Sequence, residues 1–207
     1  AALSTWMKPL IEPVLFMRAL AAGISAMWNN DGSLGNNANV FNRIFFDQVG
    51  GNQRQILDAF DSFYSTEFLN LQRYTGCDPA ARQVMEWVRA NGIRVVIATQ
   101  PVFPLPANLA RLRWADVPAD EFEYELITSY DLMRASKPHR MYFEDILTSL
   151  HLTPQDCCMV GDSLETDIPA RTYGFSTFWV HRNRNAPAQH VETDGRGSLE
   201  DLLIWLQ

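Results

Sequence analysis

The run Asp156-Cys157-Cys158-Met159-Val160-Gly161-Asp162-Ser163-Leu164-Glu165-Thr166-Asp167 constrains the fold more than any other stretch of the chain. It reads as a short buried strand that breaks at Gly161 and presents two carboxylates, Asp162 and Asp167, beyond its end. A helical pattern stands on each side: Tyr142, Ile146 and Leu150 before it, and a short helix ending at Gly174 after it. A strand between helices is the unit of a layered α/β fold, in which ligand groups gather at the carboxyl ends of the strands.

The same alternation runs through the chain from about residue 77. Asp78 is a good N-cap with Pro79 at the first helical position, and the helix that follows carries Val84, Trp87 and Val88 before Asn91-Gly92 stops it. Ile93-Arg94-Val95-Val96-Ile97-Ala98-Thr99 is a β-branched run suited to a parallel strand. Prolines at 101, 104 and 106 force a loop, Ala107 to Trp114 reads as a helix, and Glu125 to Thr128 as a short strand. Phe175 to Val180 predicts a further strand and Leu199 to Leu206 a closing helix. Residues 1–75 differ: they read as helical throughout. Leu10, Val14, Met17, Ala21, Ile24 and Trp28 recur at three- and four-residue steps and predict an amphipathic helix buried along that stripe. Asn29 to Ser33 is a turn, Val40 to Phe46 a second apolar segment, and Ile56, Phe60, Phe63, Tyr64 and Phe68 mark another helix. The expectation is a helical domain over 1–75 and a Rossmann-like core with a mainly parallel sheet over 76–207.

Composition excludes several classes. The formal charge is −7 and the pI near 5.0, with no Lys/Arg cluster to neutralise a phosphate backbone, so nucleic acid is not expected as a partner. Residues 9–28 are apolar but interrupted by Glu12, Pro13 and Arg18, which breaks both a membrane span of about 20 apolar residues and a signal-peptide core. The 3 cysteines include the adjacent Cys157 and Cys158, which point to opposite faces of a strand; reduced thiols and a cytoplasmic setting are expected.

Three strand or loop ends carry side chains able to do chemistry. Mg²⁺ takes oxygen ligands and binds through one or two carboxylates plus waters and substrate phosphate, which Asp162 and Asp167 could provide. Equally, Asp167 could only favour the next helix N-terminus, and Asp162 only cap a turn. Thr99, followed by Gln100, offers a hydroxyl and a backbone N–H to one phosphoryl oxygen; alone it is an ordinary strand residue. Lys137, before Pro138, offers an ammonium to phosphate and to a neighbouring carboxylate; alone it is an ordinary surface lysine. Trp87, Trp114, Phe178 and Trp179 read as packing, and His151, His181 and His190 show no partner spacing. Arg43, Arg54, Asn36 and Asn37 could face a substrate, and the sequence does not say which do.

The order of these segments is more specific than any of them. Ala98-Thr99-Gln100-Pro101, then Ser136-Lys137-Pro138, then Val160-Gly161-Asp162-Ser163-Leu164-Glu165-Thr166-Asp167-Ile168 resembles the haloacid dehalogenase-like (HAD) hydrolase superfamily. The resemblance implies a Rossmann-like core over 76–207 and a helical cap over 1–75. It implies that Thr99 and Gln100 hold a phosphoryl group, that Lys137 stabilises nucleophile and phosphate, and that Asp162, supported by Asp167, holds Mg²⁺. His139-Arg140 departs from the commoner Asn-Pro type of continuation after Lys-Pro. The implied activity is Mg²⁺-dependent hydrolysis of a small phosphorylated metabolite through an aspartyl-phosphate. A haloacid dehalogenase and a catalytically silent binding protein on the same fold are the alternatives. A receiver module fits poorly, because its acidic pair comes first in the chain.

One part of the family pattern is missing. Its nucleophile is the first aspartate of Asp-x-Asp-x-Thr at the end of the first core strand, and no Asp-x-Asp occurs upstream of Thr99. Met27 to Leu34 would place Asn29 at the nucleophile, where an amide cannot attack, and the residues before it have helical periodicity. The expectation is therefore that the chain begins inside the cap and that the first strand, which in the family lies between those ending at Thr99 and Asp162, lies outside it. A gap in the sheet at that place follows from this expectation.

Overall fold

A computed structural model describes residues 1–181 and 192–207; His190 lies outside the described residues. Helices form where their starts are capped. Glu12 accepts from the amides of Val14 and Leu15 ahead of α2 (Pro13–Trp28). Asn36 caps α3 (Asn37–Val49), and Asn52 caps α4 (Gln53–Ser65). A short α1 (Ala2–Met7) precedes them, and a 3-10 segment, Glu67–Tyr74, follows. Each cap satisfies an amide that the helix itself leaves unpaired.

The buried stripe of α2 is not the one its spacing suggests. Phe16, Ala19, Gly23 and Met27 face inward, while Val14 is 75% and Met17 and Trp28 each 47% exposed. The helix is apolar nearly all round, so periodicity alone does not choose a face. Gly23 does: a Cβ there would lie 2.6 Å from the Phe41 ring. Only this small residue lets α3 bring Phe41, stacked on Phe45 at 5.2 Å between ring centroids, against α2. Phe16, Phe41, Phe45 and Phe60 then form one aromatic core, against which Val102 and Tyr130 of the following segment pack.

From Asp78 onward helices and strands alternate. α5 (Pro79–Ala90) starts with Asp78 accepting from the Ala80 amide. β1 (Val96–Ile97), α6 (Leu105–Trp114), β2 (Leu126–Ile127), α7 (Arg140–Leu150) and β3 (Cys158–Gly161) follow. A 3-10 segment, Ile168–Tyr173, leads into β4 (Ser176–Val180). β5 (Gly195–Gly197), which the sequence reading did not anticipate, and α8 (Leu199–Leu206), opened by a Ser198–Asp201 capping box, complete the chain. Phe68 stacks on Trp114 at 5.1 Å, joining the helical segment to α6.

All strand pairings are parallel, and among the described residues they form two separate sheets, β1-β2 and β3-β4-β5. β1 and β3 are not paired with each other, which is the interruption expected from the sequence. The β-branched run around β1 is accordingly shorter as a strand than expected, and its residues 95–100 are only partly buried. A run of this composition ordinarily reads as covered on both faces. Among the described residues no helix is long and apolar enough to cross a membrane.

Candidate active site

Thr99 and Gln100 sit just past β1, Asp162 just past β3, and Lys137 on the loop that enters α7. Lys137 joins these elements. Its side chain is 6% exposed, and its Nζ donates to the Ala98 carbonyl at 2.7 Å and to Asp167 Oδ1 at 2.5 Å. One ammonium thus reaches from the end of the first sheet to the turn after the second. The surface-lysine alternative is excluded: a charge this buried persists only when paired.

Asp167 is placed by its own turn. The amides of Asp167 and Ile168 both donate to the Ser163 carbonyl, at 3.0 and 3.2 Å, and Asp167 Oδ2 accepts from the Ser163 amide at 3.1 Å. Gly161 makes room for this carboxylate: a Cβ at 161 would lie 2.2 Å from Asp167 Oδ2. The glycine at the strand end is therefore a space requirement. Its Cα–H₂ face is covered by the carboxylate that holds Lys137.

Asp162 is exposed, and its carbonyl accepts from Trp179 Nε1 at 3.1 Å. Among the described residues no three His, Cys, Asp or Glu side chains converge as a metal cage. The donor set is nevertheless of the kind Mg²⁺ uses, since that ion needs only one or two protein carboxylates. Asp162 fits as a direct ligand. Asp167 already serves Lys137 and the Ser163 amide, so it fits as the group that orients the turn.

Gln100 is committed in its side chain. Its Oε1 accepts from the Lys137 amide at 3.1 Å, and its Nε2 donates to the Lys137 carbonyl at 3.2 Å. Of the two groups it could offer a phosphate, the backbone N–H is the one this pairing leaves. The Thr99 hydroxyl donates to the Gln100 carbonyl at 3.2 Å. The Thr99 carbonyl accepts from Tyr142 Oη at 2.8 Å and from Thr128 Oγ1 at 3.2 Å. Tyr142 and Thr128 are fully buried, and burial pushes the Tyr142 phenol far above its ordinary range, so it stays a donor. The sequence reading missed both: Tyr142 counted only as an apolar helix position, and Thr128 as the end of a strand. Trp179 was read as packing, yet it braces the Asp162 carbonyl.

Of the four helical-segment residues considered for substrate, Arg43 and Arg54 are exposed, Asn36 caps α3, and Asn37 is fully buried. A cleft of about 910 Å³ runs along α7 past Met141, Phe143, Leu147 and Tyr173 and contains none of Thr99, Gln100, Lys137, Asp162 and Asp167. The candidate site lies instead at the adjoining ends of the two sheets.

Known proteins resemble the chain in sequence and in fold. Two archaeal proteins described as glyceraldehyde 3-phosphate phosphatase are similar to the chain. The one from Pyrococcus abyssi is 31% identical over 121 residues, covering 57% of this chain and 46% of the relative. The one from Pyrococcus furiosus is 25% identical over 138 residues, covering 65% and 53%. The chain thus spans about half the length of the curated relatives it matches. A crystal structure of a HAD phosphatase from Thermococcus onnurineus superposes with a TM-score of 0.58 at 18% identity, over 99% of this chain and 86% of that one, a likeness of fold. The model of the haloacid dehalogenase-like hydrolase family matches residues 15–171. That match covers most of the chain, and with an α/β Rossmann-like core and a helical segment before it, the chain belongs to the haloacid dehalogenase-like hydrolase family.

Proposed function

We propose that the chain is the phosphate- and metal-binding part of a Mg²⁺-dependent phosphomonoester hydrolase acting on a small phosphorylated metabolite. Residues 1–75 are then its cap and 76–207 its core. The observation that carries this reading is the buried Lys137, held between Ala98 just past β1 and Asp167 in the turn after β3. Its three N–H donors are two-thirds engaged by these partners, leaving one for a phosphoryl oxygen. The Gln100 backbone N–H supplies another donor to the same group, and the Thr99 hydroxyl one more once it turns from the Gln100 carbonyl. Tyr142 and Thr128 hold the Thr99 carbonyl, so the backbone that carries the Gln100 N–H is kept in place when charge develops on phosphorus.

The attacking carboxylate comes, on this reading, from outside residues 1–207, on a strand filling the gap between β1 and β3. Its oxygen forms a bond to phosphorus as the ester P–O bond breaks, and the leaving alkoxide takes a proton. Water then attacks phosphorus, restores the carboxylate and frees inorganic phosphate. Mg²⁺ bound at Asp162 supplies charge neutralisation for the phosphate. A helical cap excludes water from the site. The 207-residue chain alone is then expected to bind phosphate without turning over.

Calorimetric titration of this chain with inorganic phosphate, with and without Mg²⁺, tests the reading. Binding is expected to tighten with Mg²⁺, to weaken in Asp162→Asn, and to be lost in Lys137→Met. Phosphate affinity indifferent to Mg²⁺ and to both substitutions would sink it. In the protein that contains the missing strand, phosphate release that survives chelation would exclude the metal-dependent mechanism.

A further inference from the structure

We infer that Asn37, in the helical segment, is a positioning residue that fixes the two phosphate-site loops relative to each other. Its amide nitrogen carries two hydrogens, and they go to different loops: one to the Pro101 carbonyl at 3.1 Å, the other to Ser136 Oγ at 3.0 Å. Pro101 directly follows Gln100, and Ser136 directly precedes Lys137. A single planar group thus sets the spacing between the Thr99-Gln100 end of β1 and the Lys137 loop. The Gln100–Lys137 amide pair closes the same spacing from the other side.

The bracket is itself held rigid. Asn37 Oδ1 accepts from Asn30 Nδ2 at 2.8 Å, and the same nitrogen reaches the Arg134 carbonyl at 2.7 Å and the Gly35 carbonyl at 2.8 Å. The Asn30 carbonyl accepts from the Ser136 amide at 2.9 Å, and Ser136 Oγ donates to the Met27 carbonyl at 2.6 Å. The Asn37 amide donates to the Met133 carbonyl at 3.0 Å. Asn30, Asn37 and Ser136 are each 0% exposed. Buried polar groups satisfied this completely specify one arrangement, and a half-satisfied network is costly. Helix capping or packing of α3 alone requires none of it: Asn36 already caps the helix, and an apolar side chain would fill the space at 37. What only an amide at this position does is donate to both loops at once.

The consequence is local. Without Asn37 the Lys137 loop loses one of its ties to the end of β1 and keeps those through Gln100 and Ala98, while the β3–β4 ladder is untouched. Native-state hydrogen exchange reads this directly on the 207-residue chain. In Asn37→Ala the amides of Ser136 and Lys137 are expected to exchange at least tenfold faster, with amides of the β3–β4 ladder unchanged. Acceleration of all amides by the same factor, or no acceleration at Lys137, overturns the inference. Ser136→Ala removes one arm of the bracket and decides the matter if Asn37→Ala does not fold: faster exchange at Lys137 with an unchanged ladder supports it, and an unchanged Lys137 refutes it. The effect on ligand rests on the proposed phosphate reading, under which Asn37→Ala weakens inorganic phosphate at least fivefold. A wild-type chain that binds no phosphate counts against that reading alone, because exchange judges the bracket independently.

Discussion

Removing the Asp167 carboxylate tests the central geometry of the site. In the folded protein the Lys137 and Asp167 side chains are 6% and 7% exposed, and their charged atoms are 2.5 Å apart. Asp167→Ala leaves the ammonium buried with the Ala98 carbonyl as its remaining partner, and leaves the Ser163 amide without its acceptor. Breaking one side of a buried pair costs about 3–5 kcal/mol, because the surviving charge stays desolvated and uncompensated. At roughly 2–4 °C per kcal/mol for a chain of this size, the melting temperature falls by about 6–20 °C. Lys137→Met in the same background removes the stranded charge. The double variant should therefore be more stable than Asp167→Ala alone, with a coupling of about 2–3 kcal/mol between the sites. Urea unfolding followed by circular dichroism, with the slope constant across the four proteins, measures all of this. A loss below about 1 kcal/mol in Asp167→Ala, or two single losses that simply add, would refute the claim that one buried pair links the two sheets.

Three other perturbations follow from the same geometry. Gly161→Ala puts a methyl 2.2 Å from Asp167 Oδ2, so the carboxylate must leave its place; a loss of about 2–4 kcal/mol is expected, and a variant as stable as wild type would mean the turn is not held as described. Tyr142→Phe takes one buried donor from the Thr99 carbonyl while Thr128 keeps the other, so thermal unfolding should register about 1 kcal/mol, and a loss above about 3 kcal/mol would point to a larger role in packing. Burial, and then Tyr130, raise the Tyr64 phenol to about 12. The unfolded chain therefore releases this proton first, near pH 10, and stability present below pH 10 declines as pH rises toward 12. Tyr64→Phe should flatten that alkaline decline in urea midpoints taken at pH 9 and 11, and identical slopes would show that Tyr64 does not titrate in this way.

Much of the site was legible because its signals are local. Gly161-Asp162, Thr99 at the end of a β-branched run, and Lys137 before Pro138 each follow from neighbours a few residues away, and strand ends gather at one edge of such a sheet. The helix start at Asp78-Pro79 was legible for the same reason, since a cap is satisfied within three residues. The braces around the site were not. Thr128 and Tyr142 hold Thr99 from 29 and 43 residues away, and nothing in their own neighbourhoods marks them. The buried face of α2 was misread because nearly every face of it is apolar, and the choice depended on Phe41 fitting against Gly23.

By itself the sequence determined the alternation of strands and helices from Asp78 onward, the helical character of residues 1–75, and the residue types at the strand ends. These depend on propensity, periodicity and capping, which act over a few residues. Only the tertiary structure decided that Lys137 is buried between two sheets, that Asp167 is its partner, and that Asn37 turns inward to tie Pro101 to Ser136. Those outcomes depend on desolvation and on satisfying every buried polar group, and both are settled by which distant segments close over a side chain.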